Sequence, residues 1–472
     1  MIHHQEIQKD TYITDKIVGS VRRSTDANLG HASTLDLFKL WNESNMKGEA
    51  SPILERSHIL IKADLDELKA NLEQKLDLAD SSLKIKLVLK DIQGTQIAPS
   101  GFSIDLIQLE QDWQEGEGKD IATLADVMPC NWLSSTGDTL WENPGGLSDL
   151  PTIIESSFFE KGNEDLSIDI TNWVKSVWNS EILNHGWLIK FSQAQDTDEY
   201  SYFVKRFASR HTRNPYNKPK LIVSWDDYHE DDRLQFETST SNILTIRHYV
   251  KGDLKILDNV TSTLTYGDWI LSGSVSQVSI GGILQEGWYQ AAYRGIEIYS
   301  DADSLLRSDL LSEGEISLTE SWYSNNALWY QTSVRLKRNL VTTNEKPRDY
   351  RFSLTSMKEK YTHSETPVAR LFVRDTREDN DPVRVPYELP SKRVERAYYR
   401  IKDYGNQKEP IVDFSYPYDD STRISADGDG MYFKFPVDLL PHGRTFTIDV
   451  LYFDRGKSYI WESNLPFTIE GE

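Results

Sequence analysis

The stretch Ser167–Phe191, SIDITNWVKSVWNSEILNHGWLIKF, decides how the first half of the chain folds. Within it, "DITNWVKSVWNS" (169–180) has apolar residues at helical spacing, and Asp169 or Thr171 is placed to cap the helix. The run "GWLIKFSQ" (186–193), by contrast, is apolar and of strand length. We therefore predict a lone amphipathic helix followed by a buried strand.

The apolar side of this predicted helix carries unusually large side chains. They recur at i, i+1, i+4 and i+5, which places them on one side of a helix. Burying each large side chain stabilises a fold by about 1.5–3 kcal/mol, and core packing is a commoner fate for tryptophan than stacking on a sugar. The residues predicted to belong to the structural core are Trp173, Val174, Val177, Trp178 and Trp187.

Strand patterns dominate the rest of the chain. Alternating or fully apolar runs such as "LKIKLVLKDI" (83–92) and "TFTIDVLYFD" (445–454) have strand length and are separated by turn residues. Two polar stretches, 224–242 and 339–350, interrupt the pattern and predict domain boundaries. The predicted domains are residues 1–228, 242–340 and 348–472. The last two each have the length and strand spacing of an immunoglobulin-like (Ig-like) β-sandwich.

The charge of the chain narrows the class of partner. It has 74 acidic and 52 basic residues, which gives a formal net charge of -22. Phosphate backbones and anionic lipid surfaces attract clustered Lys and Arg, so we expect neither nucleic acid nor a membrane as the partner. The acidic run "DDYHEDD" (226–232) is interpreted as a solvated linker, with a cation site formed by its carboxylates as the alternative.

Few sequence signals point to catalysis. The single cysteine, Cys130, excludes a disulfide framework within the chain, and no HExxH, G-x-S-x-G or phosphate-binding loop occurs. A glycosidase needs two carboxylates facing each other across a cleft, and nothing in the sequence selects such a pair. We therefore predict that the protein is not an enzyme.

The N-terminal "MIHHQEIQKDTYI" lacks the apolar segment of a secretory signal, so we expect synthesis in a cytoplasm.

Residues 8–226 contain an ordered series of short motifs. They are "DTYI" (10–13), "DANLGHASTLDLF" (26–38), "ERSHILIKADLDEL" (55–68), "SIDLIQLEQDWQEGEG" (103–118), "DTLWENPGG" (138–146), "DITNWVKSVW" (169–178), "NHGWLIKF" (184–191) and "FASRHTRNPYNKPKLIVSW" (207–225). In order and spacing this series resembles the DNRLRE, or disaggregatase-related, domain family. The corresponding family features include Asn-x-Gly, Trp-x-Glu, a helix of the form Asp-Val-Thr-x-x-Val-x-x-Trp, and a Ser-Arg pair.

The resemblance implies a jelly-roll β-sandwich with a helix across one open end. The predicted fold class is therefore all-β: an N-terminal jelly roll with one short capping helix, followed by two Ig-like β-sandwich domains. Jelly rolls of this relationship often carry a structural Ca²⁺ near the first strand, and Asp10, Asp26 and Asp169 are the candidate ligands. No other cofactor is predicted.

Two functions are consistent with these expectations. Family members usually sit in secreted or surface-anchored proteins, whereas an acidic β-protein made in a cytoplasm is typical of a bacteriophage virion part. The leading interpretation is a non-enzymatic structural protein of the virion, contacting other virion proteins and copies of itself within a symmetric tail, baseplate, neck or capsid. The alternative is a carbohydrate-binding adhesion protein at the particle surface, which requires exposed tryptophans. Candidate interface residues are Trp322, Trp329, Tyr330, Tyr416 and Tyr418.

Overall fold

The computed structural model describes most of the chain. The described residues are 1–92, 94, 99–122, 129–238, 240–294, 305–338, 348–376, 391–405, 410–454 and 456–471. Within them the chain forms 32 β-strands and four α-helices, which confirms the predicted all-β class. None of the helices in these ranges is both long enough and apolar enough to cross a membrane.

The chain divides into two compact units. The N-terminal unit comprises His3–Leu78 and Leu83–Ser224, and the C-terminal unit comprises Trp225–Glu472 together with Met1–Ile2 and Ala79–Ser82. The division near residue 224 coincides with the start of the first predicted boundary stretch. A further division of the C-terminal unit at 340–348 stays a prediction, because residues 339–347 lie outside the described ranges.

Two main sheets form the N-terminal unit. One has the strand order β1-β13-β7-β10, and the other has the order β12-β5-β6-β11-β8-β9 with β2 also paired to β6. A two-stranded ribbon, β3-β4, accompanies them. The strands are β1 (Ile2–Glu6), β2 (Lys9–Thr14), β3 (Ile17–Val18), β4 (Arg22–Arg23), β5 (Thr34–Trp41), β6 (Leu54–Lys62), β7 (Lys84–Leu89), β8 (Phe102–Gln108), β9 (Ile153–Phe159), β10 (Leu166–Asp169), β11 (Trp187–Phe191), β12 (Tyr202–Ala208) and β13 (Lys220–Ser224).

Both faces of the larger sheet are buried, which explains why its central strands are apolar without alternation. In β11, Leu188 packs in a cluster with Trp113, Trp132 and Trp141, which the segment after β8 lays over one face. Its neighbour Ile189 points to the opposite face and is also fully buried. A strand that is buried on both faces reads as a continuous hydrophobic run.

The N-terminal unit contains three α-helices rather than the single one predicted. They are α1 (Leu65–Glu73), α2 (Thr171–Trp178) and α3 (Gln193–Thr197). Asp64 caps α1 by accepting a hydrogen bond from the Glu67 amide at 3.0 Å. Three buried leucines hold α1 in place, namely Leu65, Leu68 and Leu72. The other residues of the helix are mostly acidic or polar, which makes its apolar side hard to recognise in the sequence.

The helix α2 lies where the sequence places it, but its cap differs. Ile170 occupies the N-cap position and makes no side-chain hydrogen bond there, so neither Asp169 nor Thr171 is the N-cap residue itself. Asp169 instead accepts hydrogen bonds from the Thr171 amide at 2.9 Å and from its hydroxyl at 2.6 Å. After the helix, Gly186 has a φ of +90°, and a Cβ there would lie 2.3 Å from the Ile61 carbonyl oxygen. Only glycine permits this close approach of β11 to β6.

In the C-terminal unit, the first sheet has the order β14-β22-β21-β18-β19-β20-β15. The long strand β19 pairs with β18 through its first half and with β20 through its second half, and both halves of the sheet contribute to one core with α4. The elements are β14 (Phe236–Glu237), β15 (Ser241–Arg247), β16 (Tyr249–Val250), β17 (Asp253–Leu254), β18 (Val260–Tyr266), β19 (Trp269–Ile280), β20 (Ile283–Arg294), α4 (Leu305–Glu313), β21 (Glu315–Ser324) and β22 (Ala327–Lys337).

The remaining strands form a β-sandwich. One sheet has the order β23-β25-β29-β28, and the other has the order β24-β32-β30-β26-β27 with β31 paired to β30. Phe433 from the first sheet and Ile448 from the second share one hydrophobic core. The strands are β23 (Tyr350–Thr355), β24 (Lys360–Tyr361), β25 (Val368–Asp375), β26 (Arg396–Asp403), β27 (Pro410–Val412), β28 (Ser425–Asp427), β29 (Gly430–Lys434), β30 (Thr445–Asp454), β31 (Lys457–Glu462) and β32 (Phe467–Ile469).

The acidic run 226–232 is a packed segment, so its interpretation as a solvated linker was wrong. Asp231 is only 2% exposed and accepts hydrogen bonds from the backbone and the hydroxyl of Thr245 at 3.1 and 2.6 Å. Asp232 forms an ion pair with Arg393. Asp231 and Asp232 thus each have a specific partner, and together they tie the first sheet of the unit to the sandwich that follows.

Candidate functional site

The tryptophans of the opening stretch are engaged in packing. Trp173, Val174, Trp178 and Trp187 are buried, whereas Val177 is only half-buried and does not belong to the core as predicted. The rings of Trp173 and Trp187 lie 5.1 Å apart.

Hydrogen bonds fix the two helical indoles. The Trp173 indole N–H donates to the Gln108 side chain at 2.9 Å, and the Trp178 indole N–H donates to the Leu65 carbonyl at 2.9 Å. Gln108 ends β8, Trp187 begins β11, and Leu65 begins α1 soon after β6. The helix therefore packs at one end of the larger sheet and leaves no indole face for a ligand.

Four of the motifs that are far apart in sequence meet at a single place. Asp10 comes from "DTYI", Asn28 from "DANLG", Glu115 from the Trp-x-Glu motif, and Arg210 with His211 from "FASRH". We call these five residues the motif cluster. Its members lie on β2, on the loops after β4 and β8, and directly after β12.

Asn28 organises the backbone of the motif cluster. Its side-chain amide donates to the Glu115 carbonyl at 2.6 Å, and its side-chain oxygen accepts from the Gly30 amide at 2.9 Å. A Cβ at residue 30 would lie 2.3 Å from that same Glu115 carbonyl oxygen. The Asn-x-Gly spacing therefore has a steric cause, because only glycine allows the two loops to approach this closely.

The charged members of the motif cluster hold one another. The Arg210 guanidinium donates to both carboxylate oxygens of Glu115 at 2.6 Å, in the bidentate arrangement typical of a strong arginine–carboxylate pair. The Arg210 backbone amide donates to Asp10 Oδ2 at 2.6 Å, and the Asp10 amide donates to Glu115 Oε1 at 2.9 Å. These contacts fix two carboxylates beside each other across 105 residues of sequence.

Burial perturbs the titration of this cluster. Asp10 is 0% exposed, and desolvation raises the pKa of its carboxyl to about 7 despite the hydrogen bond from Arg210. Burial also lowers the pKa of His211, and the charge of Arg210 acts in the same direction. Two buried polar atoms, Asp10 Oδ1 and His211 Nε2, have no hydrogen-bond partner.

The predicted Ca²⁺ ligands do not assemble into one site. Among the described residues, the metal-compatible group that contains Asp10 consists of Asp10, Glu115 and His211. Asp26 instead pairs with Arg22 at 3.4 Å, and Asp169 bonds to Thr171 at the start of α2. Aspartates are common in loops and strands, and their positions in sequence do not reveal which of them converge.

The tryptophans on which sugar binding would depend are withdrawn from solvent. All 13 tryptophans lie among the described residues, and none of them is exposed. Among the tryptophans outside the opening stretch, Trp269 is half-buried, and the following five are buried: Trp113, Trp132, Trp141, Trp288 and Trp322.

The candidate interface residues divide into two groups. Trp322 is fully buried, and its indole N–H donates to Glu320 at 2.7 Å, so its side chain is not available to a partner of the folded chain. Trp329 is half-buried against His248. Tyr330 is 42% exposed.

Tyr416 and Tyr418 stand on the loop 413–423 and are exposed by 39% and 78%. This loop is internally braced. The Ser415 hydroxyl donates to the Asp419 carbonyl at 2.8 Å, and the Ser415 amide donates to the Thr422 hydroxyl at 2.9 Å.

The base of this tyrosine-bearing loop is fixed to the sandwich. The Tyr398 hydroxyl donates to Asp420 at 2.6 Å, and the ring of Tyr416 packs edge-on against Phe453 at 4.8 Å between centroids. The loop therefore presents aromatic surface from a scaffold with little conformational freedom to lose.

Comparison with known proteins gives no family for this chain. No family model matches it, and no curated protein matches it. The resemblance to the DNRLRE family therefore rests on the motifs alone.

Among solved structures, the chain is similar to a chimeric titin Z1Z2 carrying a decorin peptide, with 10% identity, 50% of this chain and 92% of that chain covered, and a TM-score of 0.18. It is also similar to a DUF4785 family protein from Legionella pneumophila, with 10% identity, 99% and 92% covered, and a TM-score of 0.16. A third match is human mucin-like protocadherin EC1-2, with 11% identity, 52% and 95% covered, and a TM-score of 0.13. At TM-scores this low the matches carry no argument about fold or function.

Proposed function

We propose that this protein is a non-enzymatic structural component of a bacteriophage virion, where it makes protein–protein contacts in the tail, baseplate, neck or capsid. Other virion proteins and further copies of the same chain are its partners. The observation that carries the proposal is the distribution of aromatic side chains between core and surface.

This distribution favours a protein partner over a carbohydrate partner. A carbohydrate-binding surface needs exposed aromatic faces, whereas nine of the 13 tryptophans, all described, are buried and the other four are half-buried. Among the described residues, the exposed aromatic side chains other than Phe158 are tyrosines, which are enriched in protein–protein interfaces because the ring is apolar and the hydroxyl is polar.

The loop 413–423 is the best candidate for such a contact. Interface energy concentrates in a few large aromatic or arginine side chains, and a rigid aromatic residue costs little conformational entropy to bind. Tyr418, which is 78% exposed on a loop braced by Ser415 and Thr422, meets both conditions.

The acidity of the chain is consistent with regulated assembly. A net charge of -22 makes copies of the free chain repel each other, so association depends on a partner surface of matching shape and charge. Virion parts are arranged in closed symmetric rings, and specific interfaces in such assemblies bury more than about 1,000 Å².

Incorporation into particles tests the proposal. A phage that lacks this chain is complemented with wild-type protein, with Y416A/Y418A, or with Y200A, which removes a tyrosine that is 71% exposed elsewhere. We expect mass spectrometry of purified particles to find wild type and Y200A at equal copy number and Y416A/Y418A reduced at least 10-fold. Absence of the wild-type chain from particles, or equal incorporation of all three proteins, contradicts the proposal.

A further inference from the structure

The motif cluster contains a buried carboxylate oxygen that no hydrogen bond within the protein satisfies. Asp10 is 0% exposed, and its Oδ1 has no hydrogen-bond partner. A buried polar atom without a partner destabilises the folded state, and does so more strongly if it is charged. Such atoms are rare in native folds, and a bound ion is one of the explanations for them.

A second unpartnered atom lies in the same place. His211 Nε2 is buried and has no hydrogen-bond partner, and one ligand atom each from Asp10, Glu115 and His211 lie within 4.8 Å of one another. A carboxylate oxygen and an imidazole nitrogen without hydrogen-bond partners thus belong to side chains that bring ligand atoms close together.

Glu115 accepts three hydrogen bonds and retains capacity for a fourth. A carboxylate accepts about four bonds through its two oxygens. Oε1 accepts from the Asp10 amide and from Arg210, whereas Oε2 accepts only from Arg210. Arg210 thus orients this carboxylate and balances its charge, and one acceptor position on Oε2 remains.

We propose that Asp10, Glu115 and His211 bind one divalent transition-metal ion of the Zn²⁺ type, with Asp10 Oδ1 and His211 Nε2 as the principal ligands. One imidazole nitrogen with two carboxylate oxygens is a donor set that suits Zn²⁺, whereas Ca²⁺ takes 6–8 oxygen ligands. Ligand atoms around a tetrahedral Zn²⁺ stand about 3.3–3.6 Å apart at bond lengths of about 2.0–2.2 Å, so the side chains draw in by about 1 Å on binding.

The role of this ion is structural and goes beyond the proposed function. It links β2, the loop after β8 and the loop after β12, through the ligands Asp10, Glu115 and His211. An ion that binds only the folded chain raises the ratio of folded to unfolded protein about 100-fold when its concentration is 100 times its dissociation constant.

Calorimetric titration with ZnCl₂ tests the site in the full-length chain after treatment with a chelator. The starting protein carries H3Q/H4Q/H442Q, which removes the adjacent pair His3–His4 and the ring that stacks on His363 at 3.9 Å. The D10N and H211Q variants remove the principal ligands. D26N is the matched control, because Asp26 is a carboxylate of the same unit that lies outside the cluster.

We expect one Zn²⁺ per chain, an affinity at least 10-fold lower in D10N and in H211Q, and no change in D26N. Substituting Co²⁺ should give a visible absorption spectrum that disappears in H211Q. Failure to bind Zn²⁺, tighter binding of CaCl₂ than of ZnCl₂, or an H211Q variant that binds normally overturns the proposal. If D10N does not fold, H211Q decides the question, because His211 is only half-buried.

Discussion

Truncation of Trp178 should destabilise the N-terminal unit substantially. The side chain is only 9% exposed, and its indole N–H bonds to the Leu65 carbonyl at 2.9 Å. Loss of a large buried aromatic side chain costs about 3–5 kcal/mol, to which the lost hydrogen bond contributes about 1 kcal/mol. We therefore expect W178A to lower the free energy of unfolding by about 3–5 kcal/mol.

Two further variants separate the sources of this effect. W178F keeps an aromatic ring in the core but removes the indole N–H together with part of the ring system, so it should cost about 1–3 kcal/mol, less than W178A. V177A is the matched control on the same helix, because Val177 is half-buried, and it should cost no more than about 1 kcal/mol.

Hydrogen exchange measured by mass spectrometry at increasing urea concentration reports on this unit within the full-length chain. The strands β6 and β11 lie at the centre of the larger sheet, so their amides exchange only when the whole unit unfolds. Their exchange rates therefore give the free energy of unfolding of the unit. A loss below about 1 kcal/mol in W178A, or equal losses in W178A and V177A, would refute the assignment of Trp178 to the core.

Three other predictions concern buried charge. R233A leaves Glu320 fully buried without its ion-pair partner and should cost about 3–5 kcal/mol in urea unfolding. The double variant R233A/E320A should cost less than the sum of the single changes. Additive losses would show that the pair is not coupled. Burial raises the pKa of Asp15 to about 6, so its contribution to stability is complete below about pH 4 and is lost as pH rises to about 6. D15N should remove this part of the pH dependence. Parallel plots of unfolding free energy against pH for the two proteins would count against this prediction. Trypsin should spare the bond after Arg233 under native conditions, because residues 226–238 are packed by the contacts of Asp231 and Asp232, and early cleavage there would contradict the packing.

Local patterns in the sequence were sufficient to predict the all-β class and the helix α2. They failed where a residue's environment is set by a distant partner. Asp232 pairs with Arg393 across 161 residues and Glu230 pairs with Arg423 across 193, so a run of charges that looks solvated is in fact packed.

The alternating pattern of β21 indicates that Trp322 is buried, but a buried charge within the strand obscures that pattern. Ile316, Leu318, Glu320 and Trp322 alternate along β21 and are all buried. Glu320 breaks the apolar alternation because it faces inward to meet Arg233, and this pairing is invisible within the strand itself.

The motif cluster was missed for a related reason. Glu115 and Arg210 stand in the quoted motifs, and the convergence of those motifs was the available signal. The ligand set predicted from the resemblance included Asp10 but grouped it with Asp26 and Asp169, which have other partners. Which motifs meet depends on strand order, and no local pattern determines it.

A cryo-EM structure of the intact phage particle tests the central claim most directly. We expect this chain to occur there in a closed ring of symmetry-related copies, with Tyr416 and Tyr418 covered by a neighbouring protein chain. A particle in which the chain is absent, or in which it stands as an isolated monomer with both tyrosines open to solvent, would contradict the proposed virion role.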